Sequence, residues 1–472
     1  MFLTIYTLIV VVLLLGLTIF VHELGHFLVA RACGMIIDTF SLGFGPALWK
    51  RKLGGVTYKI GCIPCGGYVA LPQMDPTHSA EATAEQEQRT LSPAAPWKKI
   101  LVAIAGGAGN MLFAVLLAWL VFWIGKPSAP HERNCRIGYV ETNSAAYAAG
   151  LRLDDEITAF NNEPVRSWDD LIMKGALART ADLRVRAADG GVRELTVPLE
   201  KGELGITVIP GISPQNFCSV ASVLPGSSAA LAGIRGGDRI LEFDGVRLIS
   251  REHLMALVDQ RRDQPTPAAV DRKGQRLPLT VTPHYNAKEQ RALIGVQFFG
   301  STFDMDYDQV AHPRPGAQLR DHASAIFRVL RALVTPHEAK AAAGGLGGPI
   351  AVILTFWWVV QRSIMIAIWF TCFFNANLAI LNLLPIPILD GGHVLFALWE
   401  VVTRRRINAR VANAIMNFFL VLILAAALLL MYRDVVRMIL PRFLKSAAEP
   451  APAGAVTNAP PAAGQPAPAN AP

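Results

Sequence analysis

His22-Glu23-Leu24-Gly25-His26 is the first stretch of this chain able to do chemistry. On a helix, residues four apart share a face, so the two imidazoles can grip one zinc ion. Glu23 then stands beside the metal as a general base toward water. The motif follows directly on Met1 to Val21, which carries no charge. Ionisable groups beside such a run are costly in lipid and by default functional. The competing reading is a helix-end cluster snorkelling to the interface, but a buried glutamate there would seek a basic partner, not two histidines. A hydrolytic zinc needs a third protein ligand and an open position for water. Val29 and Ala32 occupy the places where an extended zincin pattern has its glycine and third histidine, and no Glu occurs between Glu23 and Glu81. The third ligand must come from far along the chain. The stretch from Asn382 to His393, NLLPIPILDGGH, offers Asp390 and His393. Pro385 and Pro387 break a helix there, which lipid tolerates only where backbone is buried or lines a cavity.

Four apolar segments must position these groups. Met1 to Val21, Leu101 to Ile124, Ser363 to Leu389 and Val411 to Tyr432 all lack charge. Each reaches the ~20 residues that cross a hydrocarbon layer of ~30 Å. The first has no basic leader region and no small-x-small cleavage site after it, so it reads as a retained helix rather than a signal peptide. Ile350 to Val360 is too short to span and is expected at the interface or against the bundle. Composition agrees: of 472 residues, 17% are charged and 52% apolar, and mean hydropathy is +0.36. That excludes disorder for the chain as a whole and argues against a wholly soluble enzyme.

The net charge of +8 reads as basic loops held on the cytoplasmic side, with no nucleic-acid partner. Arg31, Lys50, Arg51, Lys52, Lys59, Lys98 and Lys99 lie between the first two spans, and Arg404, Arg405, Arg406 and Arg410 precede the last. Gly125 to Gly345 then lies outside. Arg433, Arg437, Arg442 and Lys445 dissent from this orientation. The first and third spans run the same way, so Asp390, read as the end of the third, is expected at the depth of His22 and His26.

The external stretch repeats itself at an offset of 83 residues, pairing Ser144 with Ser227, Gly150 with Gly233, Asp155 with Asp238 and Phe160 with Phe243. Farther on, Leu204-Gly205-Ile206 pairs with Ile294-Gly295-Val296. The repeated pattern, a short helix, a turn and a strand, resembles PDZ domains, which take extended peptides along a sheet edge. Peptide binding or substrate gating is expected of the pair, against a plain structural spacer. Ser446 to Pro472 is almost entirely Ala, Pro, Gly, Asn and Gln and is expected to be disordered.

HELGH, the Asn-x-x-Pro-x-Pro-x-Leu-Asp-Gly stretch, four spans and two PDZ-like repeats between the second and third together resemble the site-2 proteases, intramembrane zinc metalloproteases, in their bacterial tandem-PDZ type. The likeness covers nearly the whole chain except the tail. It implies a multi-pass α-helical membrane protein with four transmembrane helices, a membrane-associated β-loop and two periplasmic PDZ-like α+β domains. It implies one Zn2+ ion held by His22, His26 and Asp390, taking Asp390 over His393, with Glu23 catalytic. It implies substrate contacts at Asn382 and at Gly66, Gly67 and Tyr68 of the β-loop, where Val56 to Val69 could hold a substrate helix unwound. The implied partners are the bilayer, single-span membrane proteins of the anti-sigma-factor type or leftover signal peptides, and peptide termini at the PDZ-like domains. The implied place is the bacterial inner membrane, with the active site toward the cytoplasm.

The expected organisation is 1–124 (first two spans and β-loop), 125–212 and 213–302 (PDZ-like domains), 303–362 (linker and peripheral helices), 363–433 (last two spans) and 446–472 (tail). Two features depart from the family pattern. Gly107 stands where a proline is usual, and Cys62-Ile63-Pro64-Cys65 puts a CxxC in the β-loop, most simply as reduced cysteines. A non-catalytic membrane adaptor with a vestigial metal motif is the alternative function; a transporter has no inverted repeat to support it.

Overall fold

The computed structural model describes residues 2–74, 94–175, 180–201, 207–287, 289–298, 305–336, 339, 342–343, 346–405 and 407–436. The C-terminal tail, Arg437, Arg442, Lys445 and Leu204 to Ile206 lie outside the described residues, as does the side chain of Cys65. Among the described residues, four helices are long and apolar enough to cross a membrane. They are α1 (Phe2–Ala32), α2 (Pro96–Ile124), α5 (Ile364–Asn382) and α7 (Ala409–Asp434). At 1.5 Å per residue even the shortest, α5, reaches about 28 Å. Helices that lie in lipid associate through close packing and hydrogen bonds, since there is no water to expel. Thr18 and Asn375 show this: the Asn375 amide, fully buried in α5, donates to Thr18 Oγ1 on α1 at 2.9 Å.

Three further helices pack on this frame. Pro315–Val334 (α3) docks on α2, where buried Gln318 donates to the carbonyl of Ala118 at 3.0 Å. Pro349–Arg362 (α4) packs against the bundle, its Phe356, Val359 and Val360 buried with Val11 of α1 and Ile366 of α5. Its N-terminus is capped from α7, where buried Asp434 accepts the amides of Gly348 at 3.2 Å and Ala351 at 2.9 Å. Asp390–Thr403 (α6) follows α5 after a turn and packs along α2, tied there by Lys99 and Glu400 at 2.8 Å.

Asp390 therefore opens α6, whereas the sequence reading made it the end of the third span. α5 stops at Asn382, and Pro385 and Pro387 fill the turn because proline clashes with a preceding helical turn and removes its amide. The turn carries Asp390 back toward His22 and His26 of α1.

Between α1 and α2 the chain forms a hairpin, β1 (Thr39–Leu53) and β2 (Val56–Ala70). Its turn, Gly54-Gly55, has positive φ at both residues (57° and 87°), as a two-residue turn matched to strand twist requires. Phe40 pairs with both Tyr58 and Val69, so Thr39–Leu42 runs between two parts of β2, and Gly67–Ala70 forms an outer edge. Leu48, Trp49 and Ile63 are exposed beside Lys50, Arg51 and Lys52.

Each repeat folds around its own core and a four-stranded sheet. In both, a serine N-caps the short helix, Ser144 for Ala145–Ala148 and Ser227 for Ser228–Leu231. In both, a buried aspartate meets an arginine: Asp155 with Arg193 at 2.8 Å and Asp238 with Arg272 at 2.7 Å. One pairing needs correction. Glu141 N donates to Gly211 O, and Leu224 N donates to Gly295 O. Gly211 and Gly295 then lead into strands Ile212–Pro214 and Val296–Phe298, so Gly211-Ile212 is the structural counterpart of Gly295-Val296. Strand Ile212–Pro214 also runs across the domain boundary expected at 212. Cys135 and Cys218 are buried in separate repeat cores.

Candidate metal and active site

His22 and His26 stand one turn apart on α1 with their rings edge to face, centroids 4.8 Å apart. Their Nε2 atoms lie 3.3 Å from each other. Asp390 completes the set, with Oδ2 at 3.4 Å from His22 Nε2 and Oδ1 at 3.4 Å from His26 Nε2. Zinc bonds of 2.0–2.1 Å in a tetrahedron put ligand atoms about 3.3–3.4 Å apart. The two imidazole nitrogens have that spacing, each lies 3.4 Å from one of the two Asp390 oxygens, and the three ligand atoms fall within 4.8 Å of one another. The Asp390 Oδ2 atom is buried and receives no hydrogen bond among the described residues. A carboxylate out of water without a donor is costly, and a cation between it and two imidazoles removes the penalty. The donor set fits zinc. His393, three residues farther along α6, is not in the cluster of possible metal ligands.

The close fit depends on a missing side chain. A Cβ at Gly106 of α2 would sit 2.3 Å from His26 Nε2 and 2.7 Å from His22 Cε1. Only glycine lets α2 pass this near both imidazoles. Gly107 turns the other way, toward Ala379 and Leu383 near the end of α5, so its departure from the family pattern leaves the donors untouched. Behind the rings, Val102 O lies 2.7 Å from His26 Nδ1, and the Asn110 side chain lies 3.2 Å from His22 Nδ1. Asn110 had no role in the sequence reading. The signal was there, as a lone amide in an uncharged apolar helix.

Glu23 is buried, 7% exposed, and faces the hairpin edge. A Cβ at Gly67 would lie 2.8 Å from Glu23 Cγ. The outer strand of the β-loop thus passes directly beside the general-base candidate. Gly66 and Tyr68 point the other way, to Phe44, on whose ring Tyr68 stacks at 6.3 Å. Asn382 is the last residue of α5 and half-buried, at the start of the turn that carries Asp390. The structure brings together His22, Glu23, His26, Asp390 and Gly67, and leaves Tyr68 and Asn382 on the surrounding elements.

Residues 10–426 match the model of Peptidase family M50. This chain belongs to that family. It is a zinc metalloendopeptidase of the site-2 protease type. Similar proteins include one from Xylella fastidiosa (strain 9a5c) described as a zinc metalloprotease, 31% identical over 88% of this chain and 95% of its own. The regulator of sigma-E protease of Escherichia coli (strain K12) is 28% identical over 88% of this chain and 95% of its own. Among solved structures, the PDZ domain of an SdrC-like protein from Listeria monocytogenes is similar over 18% of this chain and 90% of its own, at 17% identity and a TM-score of 0.17.

Proposed function

We propose that this M50 peptidase cuts inside the membrane, cleaving the spanning segments of single-span membrane proteins. The observation that carries the reading is the donor set itself: two histidines of a long apolar helix and an aspartate at the start of α6, their ligand atoms within 4.8 Å of one another in an apolar bundle. His22, His26 and Asp390 would hold one zinc ion, which when bound supplies Lewis acidity to a substrate carbonyl and to water. Glu23 takes the proton of the attacking water and returns it to the leaving amine. The outer edge of β2 at Gly66 to Tyr68 pairs with the substrate backbone and keeps it extended, since a peptide bond inside a helix is shielded. Gly67 leaves room for that backbone next to Glu23, and Asn382 positions it from the far side.

The orientation that fits is repeats in the periplasm and active site toward the cytoplasm, in the bacterial inner membrane. The dissenting Arg433 supports it: its guanidinium donates to Ala343 O at 2.6 Å and to Leu346 O, so protein holds it rather than lipid headgroups. The two repeats act as PDZ-like domains that bind peptide termini or screen substrates. The Escherichia coli relative is named a regulator of sigma-E protease, and the substrate class proposed for this chain is of the anti-sigma-factor type or leftover signal peptides.

The test is Glu23→Gln with a single-span reporter. Cleavage should fall by about 100- to 10,000-fold while zinc content stays unchanged. Undiminished cleavage would sink the reading. Loss of zinc from Glu23→Gln would move Glu23 from base to ligand.

A further inference from the structure

The rear nitrogens of the two histidines meet different partners. His26 Nδ1 lies 2.7 Å from Val102 O. A carbonyl only accepts, so this imidazole carries its proton on Nδ1 and leaves Nε2 as a lone pair. His22 Nδ1 instead faces Asn110 Nδ2 at 3.2 Å. Asn110 is fully buried, and its Oδ1 has no hydrogen-bond partner among the described residues. Were the amide nitrogen to donate to Nδ1, the His22 proton would sit on Nε2, the atom turned toward His26 and Asp390. That tautomer cannot offer Nε2 to a metal. A half-turn of the amide about its Cβ–Cγ bond exchanges two ends of nearly equal size. Oδ1 then accepts from Nδ1–H, and both histidines present the same lone pair.

We propose that Asn110 is a positioning residue that sets the tautomer of His22, its side-chain carbonyl accepting the Nδ1–H so that Nε2 is free for the metal. The proposal rests on His22 being a ligand and goes beyond it by naming what prepares that ligand before any metal arrives. Backbone does this work for His26, and at His22 the Gly106 carbonyl lies close to the ring beside the Asn110 amide. α2 thus acts on both rings from behind, through Val102 O on one and the Asn110 amide on the other.

The full chain, purified in detergent and stripped of metal, is titrated with zinc against a competing chelator. Asn110→Leu keeps the volume and loses the acceptor; its affinity should drop by about 10- to 100-fold, as for other outer-shell partners. Asn110→Asp restores an acceptor and should bind close to wild type. Wild-type affinity in Asn110→Leu overturns the proposal. His22→Ala separates the two levels: if it also binds zinc as wild type does, His22 is no ligand and the underlying reading fails first. Because a buried substitution can impair folding, the wild-type chain is also read directly. With nitrogen-15 histidine, metal-free and at pH about 8 to keep imidazoles neutral, the His22 signals, assigned by their absence in His22→Ala, should show the Nδ1–H tautomer. An Nε2–H tautomer overturns the proposal whatever the variants do.

Discussion

Asp390 and Asp238 are both carboxylates drawn away from water, and the chain gives them opposite surroundings. Asp238, 1% exposed in the second repeat, is clamped by Arg272 through Nε at 2.8 Å and an amino group at 2.7 Å, and accepts the Arg235 amide at 2.8 Å. Asp155 in the first repeat has Arg193 and the Arg152 amide in the same places. Asp390 faces two imidazoles, and its Oδ2 receives no hydrogen bond among the described residues. A buried charge persists only if it is paired or binds a metal. The repeats contain their own cation, so Asp155 and Asp238 are structural. On the proposed function, the cation that Asp390 meets is the zinc ion. Asp434 is a third case, satisfied by the two amides it accepts at the start of α4.

The largest effect is expected where that contrast is sharpest. Asp390→Asn keeps the shape and removes the charge, so zinc affinity should fall by more than the about 10- to 100-fold that losing an outer-shell partner brings. Cleavage of the reporter should fall to background while the chain stays folded in detergent. Full zinc occupancy in that variant would mean that His22 and His26 take their third ligand elsewhere. Gly106→Ala comes next. Its Cβ would press on His26 Nε2 and His22 Cε1 from backbone that cannot retreat. The rings must shift, and zinc affinity should fall by about 10- to 100-fold, read by chelator competition. An unchanged affinity would show that α2 yields more easily than its packing implies.

Asp434→Ala tests a carboxylate whose partners are amides. It leaves the Gly348 and Ala351 amides without their acceptor, worth about 1–3 kcal/mol for the buried one. The melting temperature in detergent should drop, with zinc content unchanged. A matching loss of zinc would couple the last span to the site, which the separation of these groups in the fold does not suggest.

Legibility in the sequence follows the same division. HELGH could be read because helical spacing alone puts both imidazoles on one face. The repeats could be read because Ser144 and Ser227, or Asp155 and Asp238, act through partners close by in the chain. Asp390 was identifiable as a ligand candidate, but its place at the start of α6 was not. A turn with two prolines can end one helix or begin another, and here contact decides: a Cβ at Gly391 would meet Leu384 O at 2.2 Å, so the turn folds over the new helix start. Gly211 was missed as the partner of Gly295 because Leu204-Gly205-Ile206 looks more like Ile294-Gly295-Val296 than Ile209-Pro210-Gly211 does. The match that mattered was a backbone hydrogen bond, which leaves no mark on side-chain identity. Asn110 escaped for a similar reason, since its partner is 88 residues away.

The smallest effect concerns the arginine-clamped carboxylates and gives the comparison a pH axis. Burial alone would raise the Asp238 carboxyl, but the hydrogen bond and charge of Arg272, with the Arg235 amide, hold it below its ordinary value. In the unfolded chain an aspartate titrates near 3.9. A depressed folded value contributes stability that is fully present above that point and is lost as pH falls through the folded value. The strand Arg239–Phe243, which follows Asp238, should therefore lose hydrogen-exchange protection as pH drops below about 4. Arg272→Met should already exchange faster than wild type at neutral pH, after correction for intrinsic rates. The two proteins should then converge in acid, once protonation has removed what the arginine holds. If the gap between them persists unchanged at low pH, Arg272 stabilises the repeat by packing, and the contrast with Asp390 would rest on shape rather than on charge.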